Sequence, residues 1–193
     1  MDQALSAPPT AADRPARPST WFFWHAHRIR PGMKVLDVAA GEGRHAIAAA
    51  ELGAQVTALE LDAATIARGE AAAAGRKVQV EWRGTDLTKP WPELGVFDVV
   101  LCFNYLDRAR VNEVVARIAP GGMLMMETFL VAQRHLGWGP QSDDHLLRPG
   151  ELNGLVAPLA AVHGREVVEP VEGERWRAIA SVVAERRSGP GPS

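Results

Sequence analysis

Residues 34–47, KVLDVAAGEGRHAI, decide how this chain folds. An apolar run ends in Asp37, a Gly-x-Gly turn follows at Gly41 and Gly43, and a small-residue segment comes next. Lys34–Val38 read as a buried parallel strand and Arg44–Glu51 as the helix that follows it. Gly41 and Gly43 supply the sharp turn between them. A larger side chain there would hold the backbone away from a ligand lying across the strand's carboxyl end, where open α/β sheets bind ligands. The helix start then offers unpaired N–H groups to a negative group on that ligand. The pattern predicts a site for a nucleotide-type cofactor.

Downstream spacing strengthens this expectation. Residues 55–61, QVTALEL, read as a second strand, and Glu60 falls about 20 residues beyond Gly41, where an acidic side chain meets a ribose diol in such folds. A helix-start carboxylate is the alternative role, and Asp62 suits it better. The glycine pattern alone leaves the cofactor open, because Ala46 could serve as the third small residue of a dinucleotide fingerprint.

Taken whole, the segment resembles motif I of class I S-adenosylmethionine (SAM)-dependent methyltransferases, Asp-x-Gly/Ala-x-Gly-x-Gly, which Asp37, Ala39, Gly41 and Gly43 fill. Further pieces follow in the order that family requires. Residues 78–83, VQVEWR, read as a third strand followed by Asp86 and Leu87; the resemblance implies that Asp86 binds the adenine amino group and that its neighbour packs on the ring. It also assigns Leu61 and Phe103, at the ends of the second and fourth strands, to the cofactor. Phe97–Phe103 read as the fourth strand, and residues 120–129, PGGMLMMETF, as a Gly-Gly turn entering a fifth. A narrower likeness, to the tellurite-resistance-type methyltransferase group, lies in residues 145–152, HLLRPGEL, which would open a late helix, and in the closing VAERR.

Helices are expected at residues 62–74, 108–118 and 149–157, alternating with strands, and residues 162–171 and 176–186 read as two strands around Glu172, Gly173 and Glu174. The fold class expected is therefore α/β: a Rossmann-like, doubly wound, mostly parallel seven-stranded sheet whose last strand is antiparallel. With 193 residues and 47% hydrophobic content, one domain is expected, at residues 21–187. Residues 1–20, rich in Ala and Pro, and the tail 188–193 are expected to be mobile. The aromatic run Trp21, Phe22, Phe23 and Trp24 reads as a helix packing on the sheet, with Trp21, His25 or Arg28 able to close over the cofactor's amino-acid end.

Net charge is −2, so no basic field is available for a nucleic-acid backbone. Cys102 is the only cysteine, which excludes an internal disulfide, suits a reducing cytoplasm and, inside an apolar strand, reads as core. No membrane span or signal peptide is visible. The acceptor side should lie at Asn104 and Tyr105 and in the loop 130–147, which holds His135 and Trp138 and reads as a substrate lid. Its two His and two Asp match no metal-ligand spacing, so no metal is expected. The expected activity is methyl transfer from SAM to a small-molecule nucleophile. An NAD(P)-binding oxidoreductase and a non-catalytic SAM-binding protein remain the alternatives.

Overall fold

The computed structural model describes residues 17–171 and 175–188. Seven strands, β1 (Lys34–Val38), β2 (Gln55–Glu60), β3 (Val80–Gly84), β4 (Phe97–Phe103), β5 (Ile118–Phe129), β6 (Ala160–Pro170) and β7 (Trp176–Glu185), form one sheet in the order β3-β2-β1-β4-β5-β7-β6. Strands β1 to β5 pair in parallel, while β7 runs antiparallel to both β5 and β6. The expected topology is thereby met, including the single reversed strand. The strand order reverses at β1, between β2 and β4, and in open α/β sheets the ligand crevice opens at the carboxyl ends beside such a point.

Five helices cover the sheet among the described residues: α1 (Thr20–His25), α2 (Arg44–Glu51), α3 (Ala63–Gly75), α4 (Val111–Ala116) and α5 (Glu151–Leu155). They divide the core in two. On one face, Trp21 and Phe22 of α1 and Ala46 and Ala49 of α2 pack on Val35, Val99, Leu101, Met125 and Val183. On the other, α4 and α5 bury Val114, Val115, Leu152 and Val156 against Leu36, Val100, Leu124 and Val182. The central strands are buried on both faces, which explains why they read as continuous apolar runs.

Several boundaries differ from the expectation. The helix expected at 108–118 is confined to Val111–Ala116, because Ile118 already pairs with Phe97 and opens β5. Strand pairing won over helical periodicity there, and the Gly-Gly turn lies inside the strand. The late helix is likewise shorter, Glu151–Leu155. At the amino end, residues 1–16 lie outside the described residues, but Ser19 and Thr20 do not belong to a mobile segment. Ser19 is buried and caps α1, its hydroxyl accepting from Phe22 N–H, while its own N–H donates to His45 Nε2 at 3.1 Å. The turn expected at Glu172, Gly173 and Glu174 and residues 189–193 also lie outside the described residues.

Candidate functional site

The turn after β1 is built by backbone that most residues resist. Gly41 and Gly43 have φ of 58° and 77°, and Ala39 adopts φ 54° without being glycine. The two glycines have different jobs. A side chain on Gly41 would point into open space, the room a ligand needs. A Cβ on Gly43 would instead stand 2.5 Å from the Trp82 ring, and one on Gly69 of α3 would stand 2.4 Å from it. Gly43 therefore lets α2 and α3 close on Trp82 of β3, which is packing rather than ligand approach.

Asp37 is buried below the turn, where its Oδ2 accepts from the Ala46 N–H at 3.0 Å and fixes the start of α2. Burial pushes its carboxyl up to about 7, partly offset by that N–H and by Arg44. At the end of β2, Glu60 Oε2 accepts from Gly41 N–H at 3.0 Å, and Oε1 accepts from the N–H groups of Leu61 and Asp62 at 2.8 and 3.0 Å. Asp62 takes the competing role, capping α3 by accepting from Thr65 N–H. Leu61 stands 64% exposed beside Glu60, an apolar surface open at the rim. Across the β2–β3 pair, Thr85 N–H donates to Glu60 O, which brings Asp86 to the same rim. Asp86 accepts from Thr88 and pairs with Lys89, and these bonds hold its carboxyl down at about 2. The side chains of Leu87 and Phe103 are buried in the two core clusters. Phe103 stacks on His45 with ring centroids 3.9 Å apart. Burial holds His45 well below its ordinary pKa, so it is the neutral acceptor that the Ser19 N–H requires.

Beyond β4, Asn104 turns the chain at φ 58°, and its N–H donates to Glu127 O. The Tyr105 hydroxyl is buried without a partner, and burial pushes it up to about 12. Cys102 rises to about 12 for the same reason, which leaves it a neutral core thiol.

Sequence reasoning missed the most charged part of this end of the sheet. Glu127 of β5 is fully buried, and its Oε2 accepts from the Ser181 hydroxyl at 2.8 Å and from Arg165 Nη2 at 3.4 Å. Arg177 Nη1 approaches Oε1 to 3.1 Å without hydrogen-bonding geometry, so this oxygen lacks a donor. Glu169 pairs with both arginines. The Arg165 guanidinium also lies over Trp21 and Trp24, 5.2 and 4.9 Å from the ring centres. The only signal in the sequence was a Glu inside an apolar strand and two Arg in strands of the closing hairpin.

The three residues suggested for the cofactor's amino-acid end are each engaged within the fold. Trp21 is fully buried with its indole N–H on Val182 O, His25 is buried beside His163, and Arg28 pairs with Glu185 at the far end of β7.

The loop 130–147 is tied down at both ends. Leu130 and Leu147 bridge in parallel, and Gln133 is buried between the Ala178 N–H and Trp138 O. Arg108 holds the second end, donating to the carbonyls of Asp143, Asp144 and Leu146 and forking onto Glu151. Trp138 rests on the hairpin, its indole N–H on Trp176 O at 2.7 Å and its ring edge-on to Phe129. His135 is exposed. Among the described residues no group of three His, Cys, Asp or Glu could hold a metal, and no helix is long and apolar enough to cross a membrane.

Comparison with known proteins adds three findings. A family model described as a methyltransferase domain matches residues 35–122. The chain is 29% identical over 167 residues to the ubiquinone biosynthesis O-methyltransferase of Xanthomonas campestris pv. campestris, an overlap covering 82% of this chain but only 66% of that protein. In structure it is similar to TehB from Haemophilus influenzae (TM-score 0.70, 16% identity, 85% of this chain and 61% of that one) and to a SAM-dependent methyltransferase from Methanosarcina mazei (TM-score 0.69, 16% identity, 85% and 97%).

Proposed function

Because the chain belongs to the class I SAM-dependent methyltransferases, we propose that it transfers the methyl group of SAM to a small-molecule nucleophile held over the carboxyl ends of β4 and β5 and the amino end of β7. The observation that carries this reading is the convergence, on one rim, of the open side of Gly41, the Glu60 carboxylate, the exposed Leu61 and Asp86.

SAM, the cofactor of this family, supplies a methyl group already activated on a sulfonium, so the protein's part is to hold an electron-rich atom in line with it. Glu60 would accept from the ribose. Its Oε1 is filled by two backbone donors and its Oε2 by one, so one lone pair is free for the first hydroxyl, and a second must displace a backbone N–H. Leu61 offers apolar surface to the adenine ring and Asp86 accepts from its amino group. Gly43, Asp37 and Ala39 shape the turn, while Leu87 and Phe103 support the rim from beneath.

On the acceptor side stand Asn104, the unpartnered Tyr105 hydroxyl, His135 and Trp138. With the ends of its loop pinned, any closure is limited to the tip around Gly137 and Gly139. The name of the Xanthomonas relative supports a small organic acceptor. The likeness to the tellurite-resistance group bears on architecture more than on acceptor, because Leu146, Leu147 and Leu152 of that segment are core and Glu151 clamps Arg108.

Calorimetry with SAM, S-adenosylhomocysteine and NAD, followed by transfer of labelled methyl to a panel of phenols, thiols, carboxylates and metalloid oxyanions, tests the proposal. SAM and its demethylated product should bind and NAD should not. Binding of NAD alone would restore the oxidoreductase alternative, and SAM binding with no acceptor turned over would favour a non-catalytic SAM-binding protein. Trp138→Ala should lower turnover by more than it lowers SAM affinity, because Trp138 sits on the acceptor side. Equal turnover would remove Trp138 from the site.

A further inference from the structure

Glu127, Ser181 and Arg165 lie in one row across β5, β7 and β6, since Glu127 pairs with Ser181 and Ser181 with Arg165. Arg177 and Glu169 form another cross-strand pair, four residues along each strand toward the hairpin. On the other side of β5, Phe103 is in register with Glu127 and stacks on His45, the residue after Arg44 in the first turn of α2. Arg44 therefore stands across the crevice from Glu127, on the sheet face that α1 and α2 cover.

The charges in this group do not balance. Glu127 and Glu169 offset Arg165 and Arg177, and Arg44 is a third guanidinium that makes no ion pair among the described residues, the other carboxylate near it, Asp37, being buried and pushed up to about 7. Burial and the nearby Arg177 both disfavour the charge on Arg44, while Glu127 and, more weakly, Asp37 favour it. An uncompensated cation in a half-buried position costs free energy unless something completes it. Two buried atoms of the network, Glu127 Oε1 and Arg165 Nε, are also without partners. The cofactor adds a further positive charge at its sulfonium. A neutral acceptor would leave both cations facing each other, whereas an anionic one would sit between them.

We propose that Arg44, with Arg177 behind it, forms an anion-binding subsite, so that the methyl acceptor carries an oxyanion group, an organic carboxylate or an inorganic oxyanion, at neutral pH. This rests on the methyltransferase reading above. Arg44 offers the planar fork that meets such groups in two parallel hydrogen bonds. Glu127 and Glu169 hold Arg177 in place on its side of the crevice. Arg44 is thus a specificity-determining residue.

The test is calorimetric and needs no turnover. The chain saturated with S-adenosylhomocysteine is titrated with benzoate, with benzamide as its neutral isostere, and with selenite, for the unmodified protein and for Arg44→Gln and Arg44→Lys. Benzoate or selenite should bind, benzamide about tenfold more weakly or not at all, and Arg44→Gln should weaken the anion by about tenfold or more while Arg44→Lys restores part of the loss. Benzoate alone would identify an organic carboxylate and selenite alone an inorganic oxyanion. Equal binding of benzoate and benzamide, or binding of neither anion, would overturn the subsite. A collapse of S-adenosylhomocysteine affinity in Arg44→Gln would overturn it too, by assigning Arg44 to the cofactor's own carboxylate. Failure of the unmodified chain to bind S-adenosylhomocysteine would instead count against the methyltransferase reading itself.

Discussion

Around β1, β2 and β3, the site carboxylates are met by backbone: Asp37 by the N–H of Ala46, Glu60 by those of Gly41, Leu61 and Asp62, and Asp86 by that of Thr88. Around β5, β6 and β7, the carboxylates are met by side chains, Glu127 and Glu169 both gripping Arg165 and Arg177. The first arrangement needs a turn of the right length and a strand that ends beside it. The second needs three strands in register. A backbone cradle leaves its carboxylate free to meet a sugar hydroxyl, whereas a guanidinium clamp spends its charge inside the protein and leaves shape and net charge as its means of recognition.

Removing one member of the clamp should have the largest effect. Glu127→Ala leaves Arg165 and Arg177 half-paired in the core, and breaking a buried pair in this way costs about 3–5 kcal/mol. Denaturant unfolding should record that loss, and a change under about 1 kcal/mol would mean that the clamp contributes little to the hairpin. The corresponding change in the backbone cradle should fall on binding. Glu60→Ala should weaken SAM by about 1.5–3 kcal/mol, the range for hydrogen bonds to a charged group. Unaltered affinity in a folded variant would detach Glu60 from the cofactor.

A smaller effect is expected where α1 and α2 join the halves. Burial lowers His25 to about 4, with His163 reinforcing it, and holds His45 well below its usual range. Both stay neutral in the fold but take a proton in the unfolded chain below pH about 6.5, so each removes stability as the pH falls. Asp37, raised to about 7, acts with the opposite sign between pH about 4 and 7, because the folded state holds its proton there. Two histidines against one aspartate leave a net loss of about 1 kcal/mol per pH unit from 6.5 down to 4. Near pH 7 the contributions of the two histidines and of Asp37 nearly cancel, so stability should level off there. Melting temperatures across this range would test the sign, and a stability that rises on acidification would refute it.

The smallest effect concerns Ala39. Its left-handed conformation costs about 1–2 kcal/mol, which glycine would relieve at an entropic cost of about 0.5–1 kcal/mol, so Ala39→Gly should stabilise the chain by up to about 1 kcal/mol. A less stable glycine variant would show that packing of the Ala39 methyl, which touches the core, outweighs the strain.

The two halves also differ in how much of them can be read in advance. Asp37, the Gly41 turn, the end of β2 at Glu60 and the Asp62 cap are local features, each fixed by a few consecutive residues and by strand periodicity. So are the seven strands and the reversed last one. The sequence could not tell Gly41, open to solvent, from Gly43, closed on Trp82, because the difference lies in a ring more than thirty residues away. Nor could it tell that Phe103 and Leu87 point into the core or that His45 receives Ser19, since these depend on which face each element covers.

What the chain determined by itself is the order of its strands and helices and the cofactor turn, because hydrophobic periodicity and the left-handed turn are properties of neighbouring residues. Only the tertiary structure decided that Glu127, Arg165, Arg177 and Arg44 share one end of the sheet. Their meeting depends on strand register and on the sheet face that α2 covers, and each residue taken alone is an ordinary charge in a strand or at a helix start.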